Sequence, residues 1–206
     1  MALILCSGGM DSAVALGWVL NEWPQQEHIL LAIDYQQDSA AGEIRAAGRL
    51  AKHYDLEYIT AFSNYPIITG KHRADPKMII SWRNLHLLAV AASHCIDEKQ
   101  HTIIHGAHKG DYADYVDCRK VWFDTVREMF FYGHYEQFGD VPLEIITPLI
   151  AKDRLQIIKL GEELDVPWEK TWSCYVDDEI PCGQCASCTG RTDAFKEAGM
   201  KDPLSG

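Results

Sequence analysis

Apolar residues along the chain fall into two alternating kinds of segment. Short runs rich in Ile and Leu, "ALILC", "HILLAID", "LEYITA", "HTIIHGA" and "LEIITPL", are bounded by turn residues and predict buried strands. Between them, residues 11–22, 40–54, 82–98, 117–132 and 152–164 carry apolar positions at spacings of three and four, which predicts helices. Strands alternating with helices imply right-handed crossovers and hence an α/β fold: an open parallel five-stranded sheet with helices on both faces. Ligands in such sheets sit beyond the carboxyl ends of the strands. That edge collects Ser7 to Ser12, Asp34, Tyr35, Gly106 to Asp111, and Thr147 onward. The irregular stretch 63–81, with two prolines, is long enough to be a lid or substrate loop. There is no internal repeat and no low-complexity tract.

A length of 206 residues at 47% hydrophobic content suits one well-buried domain with a small C-terminal appendage. Nineteen basic against thirty acidic residues give a formal charge of −11 with no basic cluster, which disfavours DNA or tRNA as substrate and favours a small molecule. No apolar run is long enough to span a bilayer, and "MALILCSGG" lacks the basic start and cleavage pattern of a signal peptide. The expected setting is cytoplasmic, without a membrane partner.

The segment "LILCSGGMDSAVALGWVL" joins the first strand to the first helix through Ser7, Gly8, Gly9, Met10, Asp11 and Ser12. Glycines let backbone N–H groups converge, and the helix N-terminus adds partial positive charge, so the junction suits a phosphate. A Walker-type loop would place a Lys after the glycines to reach the terminal phosphate; here there is none, which argues against γ-phosphoryl transfer. The plainer alternative is a strand-to-helix turn with Ser7 or Asp11 as N-cap.

Near the C-terminus, "CYVDDEIPCGQCASC" places Cys174, Cys182, Cys185 and Cys188 in one loop-rich segment. Four thiolates close a tetrahedral sphere and leave no position for water, so a structural zinc would staple residues 172–206; an iron–sulfur cluster and free thiols are the alternatives. Cys6, Cys95 and Cys118 read as small core residues. His101 and His105 bracket a strand and stand about 13 Å apart, too far to share one ion with His108. His108 and Lys109, at the strand's carboxyl end, are placed to touch a ligand. Arg83 opens a helix, where the dipole disfavours a cation unless it is held for an anion. "DYADYVDCR" groups Asp111, Asp114 and Asp117 with Tyr112, Tyr115 and Arg119 as candidate site residues; the plainer alternative is a polar loop leading into a helix capped at Asp117.

Taken in order, "SGGMDS", "ISWRN", "GDYADYVDCR", "TPLIAKDRLQIIKLGEELDVP" and "TWSCY…PCGQCASCTGR…AF" resemble the 7-cyano-7-deazaguanine synthase family of PP-loop ATP pyrophosphatases over nearly the whole chain. The first motif marks only the superfamily; Thr171 to Tyr175 with Pro181, Cys182 and Gly183 is far more specific. The resemblance implies ATP-dependent conversion of the carboxylate of 7-carboxy-7-deazaguanine to a nitrile with ammonia, through an acyl-adenylate and an amide. It also implies zinc on the four cysteines. Ser7, Asp11 and Ser12 would then act on the departing pyrophosphate, with Mg²⁺, Arg83 and Arg154 offsetting charge. Gly8, Gly9, Met10, Asp34, Tyr35, Gly106, Lys109 and Asp111 would complete the ATP edge.

Departures from the family pattern bear on substrate choice. Gln36 stands for a glycine, Asp38 and Ser39 for cationic groups, Ser81 and Trp82 for Pro-Gly, Val116 for a proline and Arg154 for a lysine. Trp82 is expected to bring a bulky ring close to the pocket. Two further readings follow: an enzyme that stops at the 7-amido product or takes a related deazapurine carboxylate, and a tRNA-thiolating or silent protein on this fold. One chain leaves assembly open, a homodimer included.

Overall fold

Each of the central strands sends alternate residues to opposite faces of the sheet. A computed structural model describes residues 1–64, 80, 82–97, 100–133, 142–176 and 180–205. In β1 (Ala2–Leu5), Ala2 and Ile4 enter one core and Leu3 and Leu5 the other. In β2 (His28–Asp34), Leu30 and Ala32 join the first core, and Ile29, Leu31 and Ile33 the second. A strand buried on both faces has no polar side to show, which is why these runs are continuously apolar.

The remaining strands are β3 (Glu57–Phe62), β4 (Thr102–Ile104) and β5 (Glu144–Ile146), and all pairings are parallel in the order β3-β2-β1-β4-β5. Among the described residues, six α-helices accompany them: α1 (Met10–Glu22), α2 (Ala40–Tyr54), α3 (Arg83–Asp97), α4 (Lys120–Tyr132), α5 (Arg154–Glu163) and α6 (Ala186–Glu197). The first core joins α1, α2 and α5 with Trp168 and Phe195; the second gathers Leu88, Ala91 and Cys95 of α3 with Phe123 and Val126 of α4. Helices thus cover both faces. The chain runs outward from β1 to β3 and then returns to β4, so its direction of travel reverses between β1 and β4. Crossovers leave that point on opposite faces and open a crevice at the strand ends, which is where a ligand fits.

The helix expected at 117–132 begins later. Residues Val116–Cys118 form a 3-10 turn, and α4 starts at Lys120 with Arg119 as an uncapped N-cap. Asp117 is therefore not a helix cap; its side chain faces the Asn84 amide at 3.5 Å. Of the expected lid at 63–81, residues 65–79 and 81 lie outside the described residues.

Candidate active site

The turn from β1 into α1 is shaped by one glycine. Gly8 has φ +74°, and a Cβ there would lie 2.4 Å from the Ala46 Cβ and 2.8 Å from the Ala47 nitrogen, so α2 sits directly against it. Gly9 is the N-cap of α1, in extended conformation and with no side-chain cap bond. Neither Ser7 nor Asp11 caps the helix through its side chain. The Ser12 hydroxyl donates to the Gly9 carbonyl at 3.0 Å, and the Ser7 and Ser12 oxygens stand 3.5 Å apart.

A cavity of about 240 Å³ opens over this turn. One set of lining residues comes from the turn and the end of β4: Ser7, Gly9, Asp11, Ser12, Gly106, His108 and Asp111. Gly106 brings the β4 end within 3.2 Å, measured from an ideal Cβ, of the Asp11 backbone, so the two strand ends meet with no room for a side chain. A second set is mixed in character: Tyr35, Glu43, Arg83, Asn84, His105 and Cys118.

His108 links the carboxylates of the first set. Its Nδ1 accepts the Gly110 amide at 3.0 Å, which puts the ring proton on Nε2, 3.3 Å from Asp111 and 3.5 Å from Asp11. Burial works against a charged imidazole, but these two carboxylates outweigh it and raise the His108 pKa. Asp11 pays the same burial penalty and is nonetheless lowered by His108 and Arg154, whereas burial and the neighbouring Asp11 raise Asp111. Arg154 reaches Asp111 at 3.5 Å.

The second set holds one cation among neutral and weakly acidic groups. Burial opposes the charge on Arg83, but Tyr35 and Asp117 keep it ionised, and its guanidinium lies 5.8 Å from the centre of the Tyr115 ring. Glu43 is raised by burial even though it accepts the Ser39 hydroxyl at 2.6 Å and the Gln37 amide at 3.0 Å. Burial, and then Arg83, pushes His105 down to about 4, so its imidazole is neutral near pH 7.

The Cys174, Cys182, Cys185 and Cys188 sulfurs all lie within 4.8 Å of one another. Backbone amides of Val176 and Cys182 point at the Cys174 sulfur, and those of Cys185 and Cys188 at the Cys182 and Cys185 sulfurs, each at 3.4 Å. Such donors favour thiolates over thiols. The segment is anchored to the rest of the fold by Trp172, whose ring packs with Ala46, Cys174 and Cys188.

Of the residues expected from sequence, Ser7, Gly9, Asp11, Ser12, Tyr35, Arg83, Gly106 and Asp111 share the cavity. Gly8 and Met10 lie behind it in the packing, Asp34 instead accepts the Gln36 amide at 2.8 Å, and Lys109 is exposed. Arg154 does not line the cavity but pairs with Asp111 at its edge and acts on Asp11 by its charge. Trp82 corrects an expectation: it is 66% exposed and does not line the cavity. Gln36 and Trp82, both in place of glycines, keep left-handed backbones at φ 67° and 63°. The turns survive the substitutions, each at a strain of about 1–2 kcal/mol. Glu43, Asn84 and His105 were missed. Asn84, directly after Arg83 in "SWRN", is 3% exposed and donates to the Asp117 carbonyl at 3.1 Å; Glu43 carries no sequence signal beyond being an acid in an otherwise apolar-faced helix.

Residues 1–199 match the family described as Queuosine biosynthesis protein QueC. The chain is 31% identical to the 7-cyano-7-deazaguanine synthase of Methanospirillum hungatei, with 98% of each chain covered. It is 33% identical to that of Trichodesmium erythraeum, over 98% of this chain and 99% of the relative. Among solved structures it is similar to the NMN synthetase of Francisella tularensis (TM-score 0.53, 15% identity, covering 97% of this chain and 77% of that one). It is also similar to the U34-tRNA thiolase NcsA of Methanococcus maripaludis with its [4Fe-4S] cluster (TM-score 0.53, 15% identity, 95% of this chain and 66% of that one). These structural likenesses establish the PP-loop type of fold. Among the described residues, no helix is long and apolar enough to cross a membrane.

Proposed function

The chain belongs to the Queuosine biosynthesis protein QueC family, and on that premise we propose that it converts 7-carboxy-7-deazaguanine and ammonia to 7-cyano-7-deazaguanine with ATP. One observation supports this reading above the others: a single cavity joins the N-terminus of α1, which has no side-chain cap, to the half-buried cation Arg83. The first suits a polyphosphate and the second a carboxylate, which are the two groups that must react.

A carboxylate resists ammonia because its charge and resonance make it a poor electrophile. Its oxygen first bonds to the α-phosphorus of ATP, and the bond from that phosphorus to the bridging oxygen breaks, releasing pyrophosphate. Amides of the Ser7–Ser12 turn receive the departing charge, helped by the Ser7 and Ser12 hydroxyls. No side chain reaches in from the glycines as a Walker lysine would, in keeping with cleavage at the α- rather than the γ-phosphorus. Arg83 orients the carboxylate, and Arg154, steered by Asp111, supplies a second positive group at the phosphate end. Ammonia then adds to the acyl carbon and AMP leaves, giving the amide. The amide oxygen then bonds to the α-phosphorus of a second ATP, releasing pyrophosphate, and loss of AMP and of both protons from nitrogen gives the nitrile. The Asp11 and Asp111 carboxylates are hard oxygen donors of the kind Mg²⁺ takes, and the ion would shield phosphate charge.

Zinc fits the four cysteines. At a Zn–S distance of about 2.3 Å, a tetrahedron has edges of about 3.8 Å, within the spread of these sulfurs, whereas a four-iron cube holds its thiolates farther apart. With all four thiolates as ligands, a bound zinc would hold the C-terminal segment in shape. Residues 1–206 then act as one unit with 172–206 as its stapled end.

The test is to incubate purified protein with 7-carboxy-7-deazaguanine, ATP, Mg²⁺ and ammonium and to read the product mass. Nitrile with AMP and pyrophosphate is expected. Accumulation of amide would make the enzyme one that stops halfway, and release of orthophosphate alone would refute the reading.

A further inference from the structure

We propose that Arg191 is a positioning residue for the phosphate loop: gripped by Asp202, it fixes the turn from Trp168 to Ser173, whose Trp172 amide holds the Gly8 carbonyl. The inference rests on the reading that this loop receives pyrophosphate.

Arg191 and Asp202 are 3% and 4% exposed, and the Arg191 Nε donates to both Asp202 oxygens at 2.9 and 3.0 Å. Burying such a pair costs desolvation that an apolar replacement would avoid. With Nε occupied, the outer nitrogens are aimed at the turn. Nη1 donates to the Thr171 hydroxyl at 2.7 Å and faces the Ser173 hydroxyl at 3.4 Å, and Nη2 donates to the Trp168 carbonyl at 3.2 Å. The Thr171 hydroxyl closes the ring by donating to the Trp168 carbonyl at 2.6 Å.

The next residue carries this order into the site. The Trp172 amide donates to the Gly8 carbonyl at 2.7 Å. In a planar trans peptide the carbonyl and the following N–H point in opposite directions, so fixing the Gly8 oxygen fixes where the Gly9 N–H points. That N–H faces the Ser7 oxygen at 3.4 Å, and both residues line the cavity. On the other side of Gly8 stands α2, leaving the loop clamped between α2 and the C-terminal segment. Arg191 is not among the described residues that line the cavity; it acts through Thr171 and Trp172.

Thr171→Val removes the hydroxyl at nearly constant volume and leaves the Arg191–Asp202 pair intact. Pyrophosphate affinity by calorimetry and KM for ATP, measured on the full chain, are expected to weaken about tenfold. KM for the deazapurine carboxylate and the metal content should stay at parental values, and Thr171→Ser should restore both phosphate readouts. Should Thr171→Val fold poorly, Asp202→Asn, which keeps the shape and removes the charge, is read in the same way. Parental pyrophosphate affinity in the variants, equal weakening of every ligand, or no rescue by serine would overturn the proposal while leaving the loop's role standing. A parent protein that binds no pyrophosphate would overturn both.

Discussion

Replacing Gly190 by alanine should separate activity from stability. Gly190 lies inside α6, and a Cβ there would stand 2.7 Å from the Arg154 Nη1. The obstacle is the free end of a long side chain, so the guanidinium moves and the helix does not. Arg154 is 44% exposed and lies 3.5 Å from Asp111, and an ion pair so wetted contributes at most about 1 kcal/mol. Alanine in place of glycine returns about 0.8–1.0 kcal/mol of helix propensity. The two nearly cancel, and at about 2–4 °C per kcal/mol for a chain of this size the melting temperature should shift by no more than a few degrees. Turnover should fall much further. Removing one preorganised charge partner costs about 10²–10³ in rate, and displacing it rather than deleting it should cost about tenfold or more. The assay is pyrophosphate release alongside a thermal melt, with Arg154→Ala and the double variant for comparison. If Arg154 is the reason, the double variant is no slower than Arg154→Ala alone. Parental turnover in Gly190→Ala, or additive losses in the double variant, would refute the role given to Arg154.

Gly8→Ala should cost about 3 kcal/mol, combining a left-handed backbone with a Cβ driven into the α2 backbone, and lower the melting temperature by about 10 °C. Metal analysis should find about one zinc per chain in a colourless preparation, and chelation should lower the melting temperature; a brown preparation would point to iron and sulfur instead. His105 has a folded pKa of about 4 against about 6.5 unfolded, so between those values the unfolded chain binds more protons and stability falls as pH drops. His105→Asn, which keeps an acceptor for the Ala107 amide, should flatten that decline, read as the change in melting temperature from pH 7 to pH 4.5 relative to the parent.

Features that depend on near neighbours were legible in the sequence. The continuous apolar runs are strands because each strand is covered on both faces, and the run itself records that. The glycine turn after β1 and the cysteine spacing were equally plain, since a turn or a chelate is built from residues a few positions apart. Asp117 misled because a capping residue and a 3-10 turn residue look alike until the chain around them is placed. Trp82 misled for another reason: position near a motif says nothing about the direction of a side chain, and its left-handed backbone leaves the ring in solvent.

By itself, then, the sequence determined the class of sheet, the place of the glycine turn after the first strand, the four-cysteine cluster and the family. Only the tertiary structure decided that Glu43 and His105 face the same cavity as Arg83, that His108 lies between Asp11 and Asp111, and that Arg191 bonds Thr171 next to the Trp172 amide that holds the Gly8 carbonyl. The division has a physical cause. Periodicity and turn chemistry are set within a few residues, whereas these contacts join segments that the crossovers of a parallel sheet bring together from distant parts of the chain, and no local pattern encodes which of them will meet.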